Sequence, residues 1–154
     1  MAGKAREYTE LAAKWIHFTA RGHRNVSARH RTTFEVTRED SLTPRGDCII
    51  GVSSTMAAAS LPQWLKEGLR RPDSIVVVIL CAEGICDSVT GSGSPRLILS
   101  DSTRMIFRKS TYIEPATVMI KASKAAKDLD RRLVEALSRG AKLNIYMTVI
   151  RLQG

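Results

Sequence analysis

Long apolar runs and aromatic residues are scarce in this chain. The longest uninterrupted apolar run covers residues 75–82, far fewer than the ~20 residues of a transmembrane helix. The first ten residues carry four charged side chains around no apolar core, so we expect no signal peptide. Aromatic residues make up 5% of the chain, which disfavours a base-stacking platform for single-stranded RNA. These shortages predict a cytoplasmic protein with no membrane segment.

Cysteines are few and odd in number. Cys48, Cys81 and Cys86 are the three, and an odd count without a signal peptide is typical of reduced thiols. Cys81 and Cys86 flank a predicted turn at 82–85, so a disulfide across the turn and two free thiols both fit the sequence. No C-x-x-C pair suggests zinc. We predict neither a metal nor a cofactor.

The chain is basic throughout two of its segments. Its 154 residues carry a formal net charge of +9. Residues 14–45 hold seven basic residues against three acidic ones, and residues 101–154 hold eleven against five. A basic excess favours anionic partners such as nucleic acid or phosphorylated ligands. Arginine accounts for 16 of the 24 basic residues while Asn and Gln are rare, a composition found in some heat-adapted proteins.

Period-two alternation and short β-branched runs predict strands along most of the chain. Residues 75–82 are apolar on both faces, so this strand is expected in the middle of a sheet. In the last predicted strand, the residues expected to face the core are Leu143, Ile145, Met147 and Val149. The other predicted strands cover residues 13–20, 27–37, 48–52, 85–90, 97–99, 105–109, 116–122 and 142–152.

Two segments have the pattern of helices. Ser60 is predicted to cap a short first helix with Pro62 in its first turn. Ser123 is predicted to cap a second helix that runs to about Ser138, with Gly140 just past its end. The apolar stripe of the second helix is Ala126, Leu129, Leu133 and Leu137, and its predicted i,i+4 ion pairs are Asp128–Arg132 and Glu135–Arg139.

The order of these elements predicts the fold class. The length suits one domain over residues 1–154. Strands outnumber helices and do not alternate with them. We therefore expect a mainly β (α+β) domain with mostly antiparallel sheet, sandwich-like or a half-open barrel, and two helices. No internal repeat is apparent in the sequence.

Two polar loops next to apolar strands are the candidate site. They combine cations with short polar donors, a composition suited to an anion, and loops held by a rigid sheet often carry binding residues. Arg108 and Lys109, at the end of the predicted strand 105–109, add positive charge to this candidate site. We predict a binding site for an anionic ligand, either RNA or a phosphorylated small molecule. Its residues are Arg21, His23, Asn25, His30, Arg45, Asp47, Arg108 and Lys109.

Two other functions fit the same residues. A small enzyme would use His23, His30 and Asp47, with Cys48 as a further candidate, for proton transfer. A protein-interaction subunit would present its basic face to an acidic partner. The spacing of the histidines matches no metal-ligand pattern. Cys48 opens an apolar run, so we expect a buried thiol there and not a nucleophile.

Several short motifs together resemble a known family. They are Arg21-Gly22-His23 with Asn25, His30 followed by Thr32-Thr33-x-Glu35, Leu42-Thr43 with Gly46-Asp47-Cys48-Ile49-Ile50-Gly51-Val52, Arg108-Lys109-Ser110, and Lys124-Ala125-Ala126-x-Asp128-Leu129-x-Arg131. Over roughly residues 15–138 the chain is similar to the archaeal proteins called domain of unknown function 371. The resemblance implies an archaeal, single-domain, β-rich protein, and it carries no catalytic role to any residue.

Overall fold

The computed structural model describes residues 14–151, which form eight strands and two α-helices. The helices are α1 Gln63–Leu69 and α2 Arg131–Ser138, and each follows a short 3-10 turn, Ala58–Ser60 and Ala126–Asp128 respectively. The strands are β1 Ile16–Arg21, β2 Thr33–Thr37, β3 Ile49–Gly51, β4 Ser74–Ala82, β5 Ile85–Ser92, β6 Arg104–Arg108, β7 Thr117–Met119 and β8 Lys142–Arg151.

The strands form two four-stranded sheets. The first has the order β1-β8-β4-β5 and is antiparallel throughout. The second has the order β3-β2-β6-β7, with an antiparallel pair at its centre and a parallel pair on each side. Neither sheet closes into a barrel within residues 14–151. The prediction of a mainly β, mostly antiparallel chain with two helices is confirmed.

One apolar core joins the two sheets and the helices. Strand β4 alternates buried and half-buried residues and lies between β8 and β5, which confirms its expected place inside a sheet. Leu143, Ile145 and Met147 of β8 are buried, as predicted, while Val149 is half-buried against the core. In the second sheet the rings of Phe34 and Phe107 stack with their centroids 4.4 Å apart.

Both helices begin later than predicted. Asp130 caps α2, because its side chain accepts a hydrogen bond from the Arg132 N–H. Ser123 instead accepts a hydrogen bond from Thr90 N, so the helix predicted from Ser123 is wrong over its first half. Ser60 likewise bonds back to Ala57 within the 3-10 turn and does not cap α1.

The predicted burial of Ala126, Leu129, Leu133 and Leu137 is confirmed, but only Leu133 and Leu137 lie on α2, because Ala126 belongs to the 3-10 turn and Leu129 precedes the helix. Gly140 follows α2 with a φ of 87°, the left-handed conformation expected after a helix. Of the predicted ion pairs, only Glu135–Arg139 forms, at 3.3 Å. The predicted Asp128–Arg132 pair is wrong, because Asp128 contacts Lys109 and Arg132 contacts Asp130.

Four predicted strands differ from the structure, and the one predicted at 116–122 covers only Thr117–Met119. Residues 97–99 are not a strand: Leu97 N–H bonds to Ser94 O across a turn at 95–96 and Leu99 has a φ of 55°, so this segment is a loop. Residues 27–32 form a loop, and only Thr33–Thr37 of the predicted strand 27–37 is extended in the sheet. The strand predicted at 13–20 begins at Ile16; residue 13 and residue 152 lie outside the described residues.

The two halves of the described chain repeat one arrangement, which the sequence did not reveal. Each half runs through three strands, a 3-10 turn, an α-helix and a fourth strand, so β1–β4 correspond to β5–β8. When each strand is replaced by its counterpart in the other half, the order β1-β8-β4-β5 becomes β5-β4-β8-β1, which is the same sheet read from its other edge. The second sheet behaves in the same way. The isolated bridges Arg21–Val52 and Ser92–Ile120 also correspond. The molecule therefore has an internal pseudo-two-fold axis, which passes between β2 and β6.

The halves exchange strands. Within the first sheet, strands β1 and β4 pair only with β8 and β5 of the other half. The halves meet at a two-residue hairpin turn, where Glu83 and Gly84 have φ values of 51° and 77°, as a turn of the primed type requires. Cys81 and Cys86 face each other across this turn and form a disulfide, which decides between the two alternatives.

Candidate functional site

The two predicted loops touch each other. The backbone N–H groups of Arg29 and His30 donate to the Asp47 carbonyl at 3.0 and 3.2 Å. The side chain of Asn25 donates from Nδ2 to Leu42 O at 2.7 Å. Backbone groups and one amide thus hold the first loop against the second, so the residues predicted from separate loops lie on neighbouring segments.

The histidines of these loops serve as turn acceptors. His23 Nδ1 accepts from Asn25 N at 3.0 Å. His30 Nδ1 accepts from the N–H groups of Thr32 and Thr33, both at 3.2 Å. Because a backbone N–H can only donate, each Nδ1 is unprotonated here and the ring proton is on Nε2. Among the described residues no hydrogen bond joins the side chains of His23, His30 and Asp47, so an enzyme using these three stays a prediction.

The internal repeat explains the role of His30. The corresponding residue of the other half is Asp101, whose Oδ1 accepts from Thr103 N and Arg104 N at 2.8 Å. Lys127 N donates to His30 O and Ala59 N donates to Asp101 O, so both residues have the same surroundings. An imidazole and a carboxylate therefore close the same kind of turn, and His30 has a structural function in this loop.

Close packing against α2 requires a glycine at position 22. A Cβ at this position would collide with the backbone carbonyl of Leu137 at the end of α2. The chain passes this close because Gly22 N bonds to Ala141 O at 2.7 Å and His23 N bonds to Leu137 O at 2.9 Å. The glycine between Arg21 and His23 is therefore required by the fold.

The basic side chains of the loops point to solvent. We call the set of six exposed side chains Arg21, Arg24, Arg29, Arg31, Arg45 and Lys127 the basic loop surface. Lys127 belongs to it because its N–H bonds to His30 O at 3.1 Å. Within residues 14–151 these six make no ion pair. Arg131 lies nearby but is not part of this set, because its guanidinium donates to Ala28 O and Ala126 O and so joins two backbone segments.

Arg108 and Lys109 lie beside the loops but are already engaged. Arg108 donates from Nε to Thr117 Oγ1 at 3.1 Å, pairs with Glu114 at 3.4 Å and sits 4.9 Å from the centre of the Tyr112 ring. Lys109 pairs with Asp128 at 2.6 Å. Its backbone N–H donates to Thr32 O, which connects these two residues to the loop of His30.

A polar face of the second sheet was not predicted. Phe34 and Val36 belong to the core, so the alternate residues of β2 face the other way. In register, Thr33 lies opposite Arg108, Glu35 opposite Ile106, and Thr37 opposite Arg104. Thr33, Glu35 and Thr37 are nevertheless buried. We call this set the polar sheet face: Thr33, Glu35, Thr37, Arg104, Arg108 and Thr117.

Glu35 is the most perturbed carboxyl of the polar sheet face. The residue is 7% exposed. Burial raises its pKa to about 7, the charge of Arg104 opposes this rise, and the charge of Glu114 adds to it. Within residues 14–151 the carboxyl has no hydrogen-bond or ion-pair partner. A carboxyl that exchanges its proton near neutral pH is a common feature of functional sites.

Cys48 adjoins this carboxyl. The Cys48 carbonyl accepts from Glu35 N at 2.9 Å. Burial, followed by the charge of Glu35, raises the pKa of the Cys48 thiol to about 11. The residue is free and half-buried just before β3. At neutral pH the sulfur therefore carries its proton, as expected of an unreactive thiol, but the expected full burial in a strand is wrong, because Cys48 is half-buried and precedes β3.

The polar sheet face was missed because it depends on strand pairing. The alternation of Thr33, Glu35 and Thr37 was visible, but such a pattern normally marks the solvent side of a strand. Only the pairing of β2 with β6 brings Arg104 and Arg108 onto the same face. The sequence offered one hint of this face: Glu35 belongs to the family motif His30-x-Thr32-Thr33-x-Glu35. The motif alone does not indicate a chemical role for Glu35.

Neither a metal-binding cluster nor a membrane-spanning helix is evident in the part of the chain that the structure describes. It contains no group of three or more His, Cys, Asp or Glu side chains that could hold a metal ion. No helix between residues 14 and 151 is long and apolar enough to cross a membrane.

Comparison with known proteins places the chain in a family. A family model described as "Domain of unknown function (DUF371)" matches residues 18–150, and the chain belongs to this family. It is 48% identical over 124 residues to an uncharacterized protein of Methanocaldococcus jannaschii, an alignment that covers 80% of this chain and 91% of that protein. The family resemblance seen in the sequence motifs is confirmed, and its archaeal assignment is supported by this relative.

Proposed function

We propose that this chain binds RNA through the phosphate backbone, at the basic loop surface. The observation that supports this proposal is a set of six exposed cations on adjoining segments with no ion-pair partner within residues 14–151. Like charges repel one another, whereas exposed cations attract phosphates. Binding of a nucleic acid is favoured further because it releases the counterions condensed on the phosphates.

The exposure of these side chains favours a polymer over a small phosphorylated molecule. Small ligands are bound in concave sites whose few polar groups converge on them. The six side chains of the basic loop surface instead come from separate segments of the chain, and all six are exposed. An extended polyanion contacts such a surface at several phosphates at once, and each contact adds to the affinity.

The proposal implies weak dependence on sequence. Phosphate contacts carry no direct information about base identity. The chain is poor in aromatic residues, and the described loops around His30 contain none between residues 22 and 32. We therefore expect similar affinities for RNAs of different sequence and a steep fall in affinity with salt.

Fluorescence anisotropy with a labelled RNA of about 20 nucleotides tests the proposal. We expect the Arg29→Ala, Arg31→Ala double variant to bind roughly tenfold more weakly and to show a shallower salt dependence. The matched control is Arg71→Ala, Arg96→Ala, which removes the same charge from exposed arginines elsewhere. Equal losses in the two variants, or no binding by the unaltered protein at low salt, would contradict the proposal.

A further inference from the structure

Glu35 is not required by the fold. The pseudo-two-fold axis relates Glu35 to Ile106, and these two residues lie opposite each other in the central pair β2–β6. Their N–H groups make corresponding bonds, to Cys48 O and Ala116 O. Ile106 fills its position with 4% exposure, so an aliphatic side chain suits this place in the sheet. A carboxyl there is an unfavourable choice for packing, which indicates that it has another purpose.

The charges around Glu35 balance without it. Arg104 contacts Asp101 at 3.2 Å and Glu114 at 3.4 Å, and Arg108 contacts Glu114 at 3.4 Å. Two guanidinium groups thus meet two carboxylates. The Cys48 thiol, just before β3, also adjoins Glu35 and is protonated at neutral pH, so it adds no charge. An ionised Glu35 is the unmatched charge of this cluster, and a protonated Glu35 leaves it neutral.

Glu114 occupies the position between the two guanidinium groups. Its Oε1 lies 3.4 Å from Arg104 Nη2 and 3.4 Å from Arg108 Nη2. The same oxygen is buried and has no hydrogen bond within the described chain. Tyr112, in the same segment, is 61% exposed. Only ion pairs hold this carboxylate oxygen, and it lies next to an exposed segment. We therefore expect that an oxygen of a bound anion could take its place between the two guanidinium groups.

We propose that the polar sheet face is a binding site for the oxyanion group of a small molecule, which replaces Glu114 between Arg104 and Arg108 and accepts a hydrogen bond from protonated Glu35. The class of ligand is a carboxylate, phosphate or sulfate group, because two guanidinium groups and one acid O–H all donate to oxygen. This site adjoins the basic loop surface but shares no side chain with it, and it does not depend on RNA binding.

The proposal predicts that binding takes up a proton. The ligand needs the acid form of Glu35, whose pKa is about 7. Below that pH the carboxyl already carries its proton, and above it each further pH unit reduces the affinity by about tenfold. Sulfate is the best probe, because its charge does not change between pH 6 and 9. Any change of its affinity with pH must therefore come from groups of the protein.

The experiment is a titration of the full chain with sulfate, followed by calorimetry and by amide chemical shifts, between pH 6 and 9. We expect the dissociation constant of the unaltered protein to rise about tenfold per unit above pH 7. In Glu35→Gln, whose amide donates at every pH, the dissociation constant should stay constant. In Glu114→Gln sulfate should bind more tightly at pH 6, because the competing carboxylate is gone.

Further variants complete the design. Arg108→Lys should weaken sulfate binding by about tenfold while keeping the charge, because an ammonium does not reproduce the guanidinium geometry. The control is Glu67→Gln, an exposed glutamate on α1, which should leave binding unchanged. Circular dichroism confirms that each variant is folded. The double variant Arg29→Ala, Arg31→Ala should bind sulfate normally, so a failed RNA proposal does not affect this one.

Three results would overturn the proposal. One is an unaltered pH dependence in Glu35→Gln, which would assign the proton to a histidine or another group. Another is weaker sulfate binding in Glu114→Gln, which would make Glu114 part of the site instead of its competitor. The third is an absence of shifts at Arg104 to Arg108 at saturating sulfate.

Discussion

Replacing Glu35 by glutamine should stabilise the protein, and the gain should grow as the pH rises from about 4.5 to about 7. The pKa of Glu35 rises from 4.5 to about 7 on folding, mainly through burial. A folded-state pKa above the unfolded one means that the native state holds the proton more tightly. The contribution of Glu35 to stability is therefore complete below about pH 4.5 and is lost as the pH rises through 7.

The size of the effect follows from the shift. Each pKa unit corresponds to about 1.4 kcal/mol, so the shift costs the native state about 3 kcal/mol at pH 8.5. At pH 5 the unfolded carboxyl is only partly ionised and the cost is less than about 1 kcal/mol. Glu35→Gln removes this cost with a side chain of the same shape, so it should gain stability by these amounts at the two pH values.

Urea unfolding of both proteins at pH 5 and pH 8.5 measures the difference. Glu39→Gln, an exposed glutamate just beyond the same strand, is the control and should change the free energy of unfolding by less than about 0.5 kcal/mol at either pH. A gain in Glu35→Gln that is equal at both pH values, or a loss at pH 8.5, would refute the reasoning, because neither result is compatible with a buried carboxyl that ionises near pH 7.

Three further predictions rest on the packing. Leu133→Ala should cost about 3 kcal/mol or more in thermal or urea unfolding, because Leu133 is fully buried on α2; a neutral result would contradict the apolar stripe. Cys48 in the native protein should react with a maleimide far more slowly at pH 7 than in urea, since its thiol is protonated, and equal rates would contradict this. Gly22→Ala should lower the melting temperature strongly, whereas Gly84→Ala, whose Cβ would meet no atom within 4 Å, should cost less despite its positive φ.

Periodic features were predictable from the sequence. The alternation in β8 and the three-four spacing of the α2 stripe each report which side of an element is buried, and the structure buries Leu143, Ile145, Leu133 and Leu137 accordingly. Helix starts were less predictable. Ser123 and Asp130 are both suitable caps, and only the tertiary bond from Thr90 to Ser123 decides between them.

The candidate site was predictable only in part. The polar loops were visible as composition, and the structure shows that they touch through the Asp47 carbonyl. The polar sheet face depends on contacts between residues about 70 positions apart, such as Glu35 with Arg104. A pattern along one strand does not specify which strand lies next to it. The same reason hid the internal repeat, because the halves share an arrangement of elements and few identical residues.

The exchange of strands makes the halves of this chain partners of one another. Every strand pair of the first sheet joins one half to the other, and so does the central pair β2–β6 of the second sheet, so a half on its own leaves four strand edges without neighbours. A chain cut in the Glu83–Gly84 turn should therefore remain assembled, as two subunits of an obligate heterodimer. The Cys81–Cys86 disulfide then links the two fragments covalently, and the cut protein should come apart on a denaturing gel only after reduction.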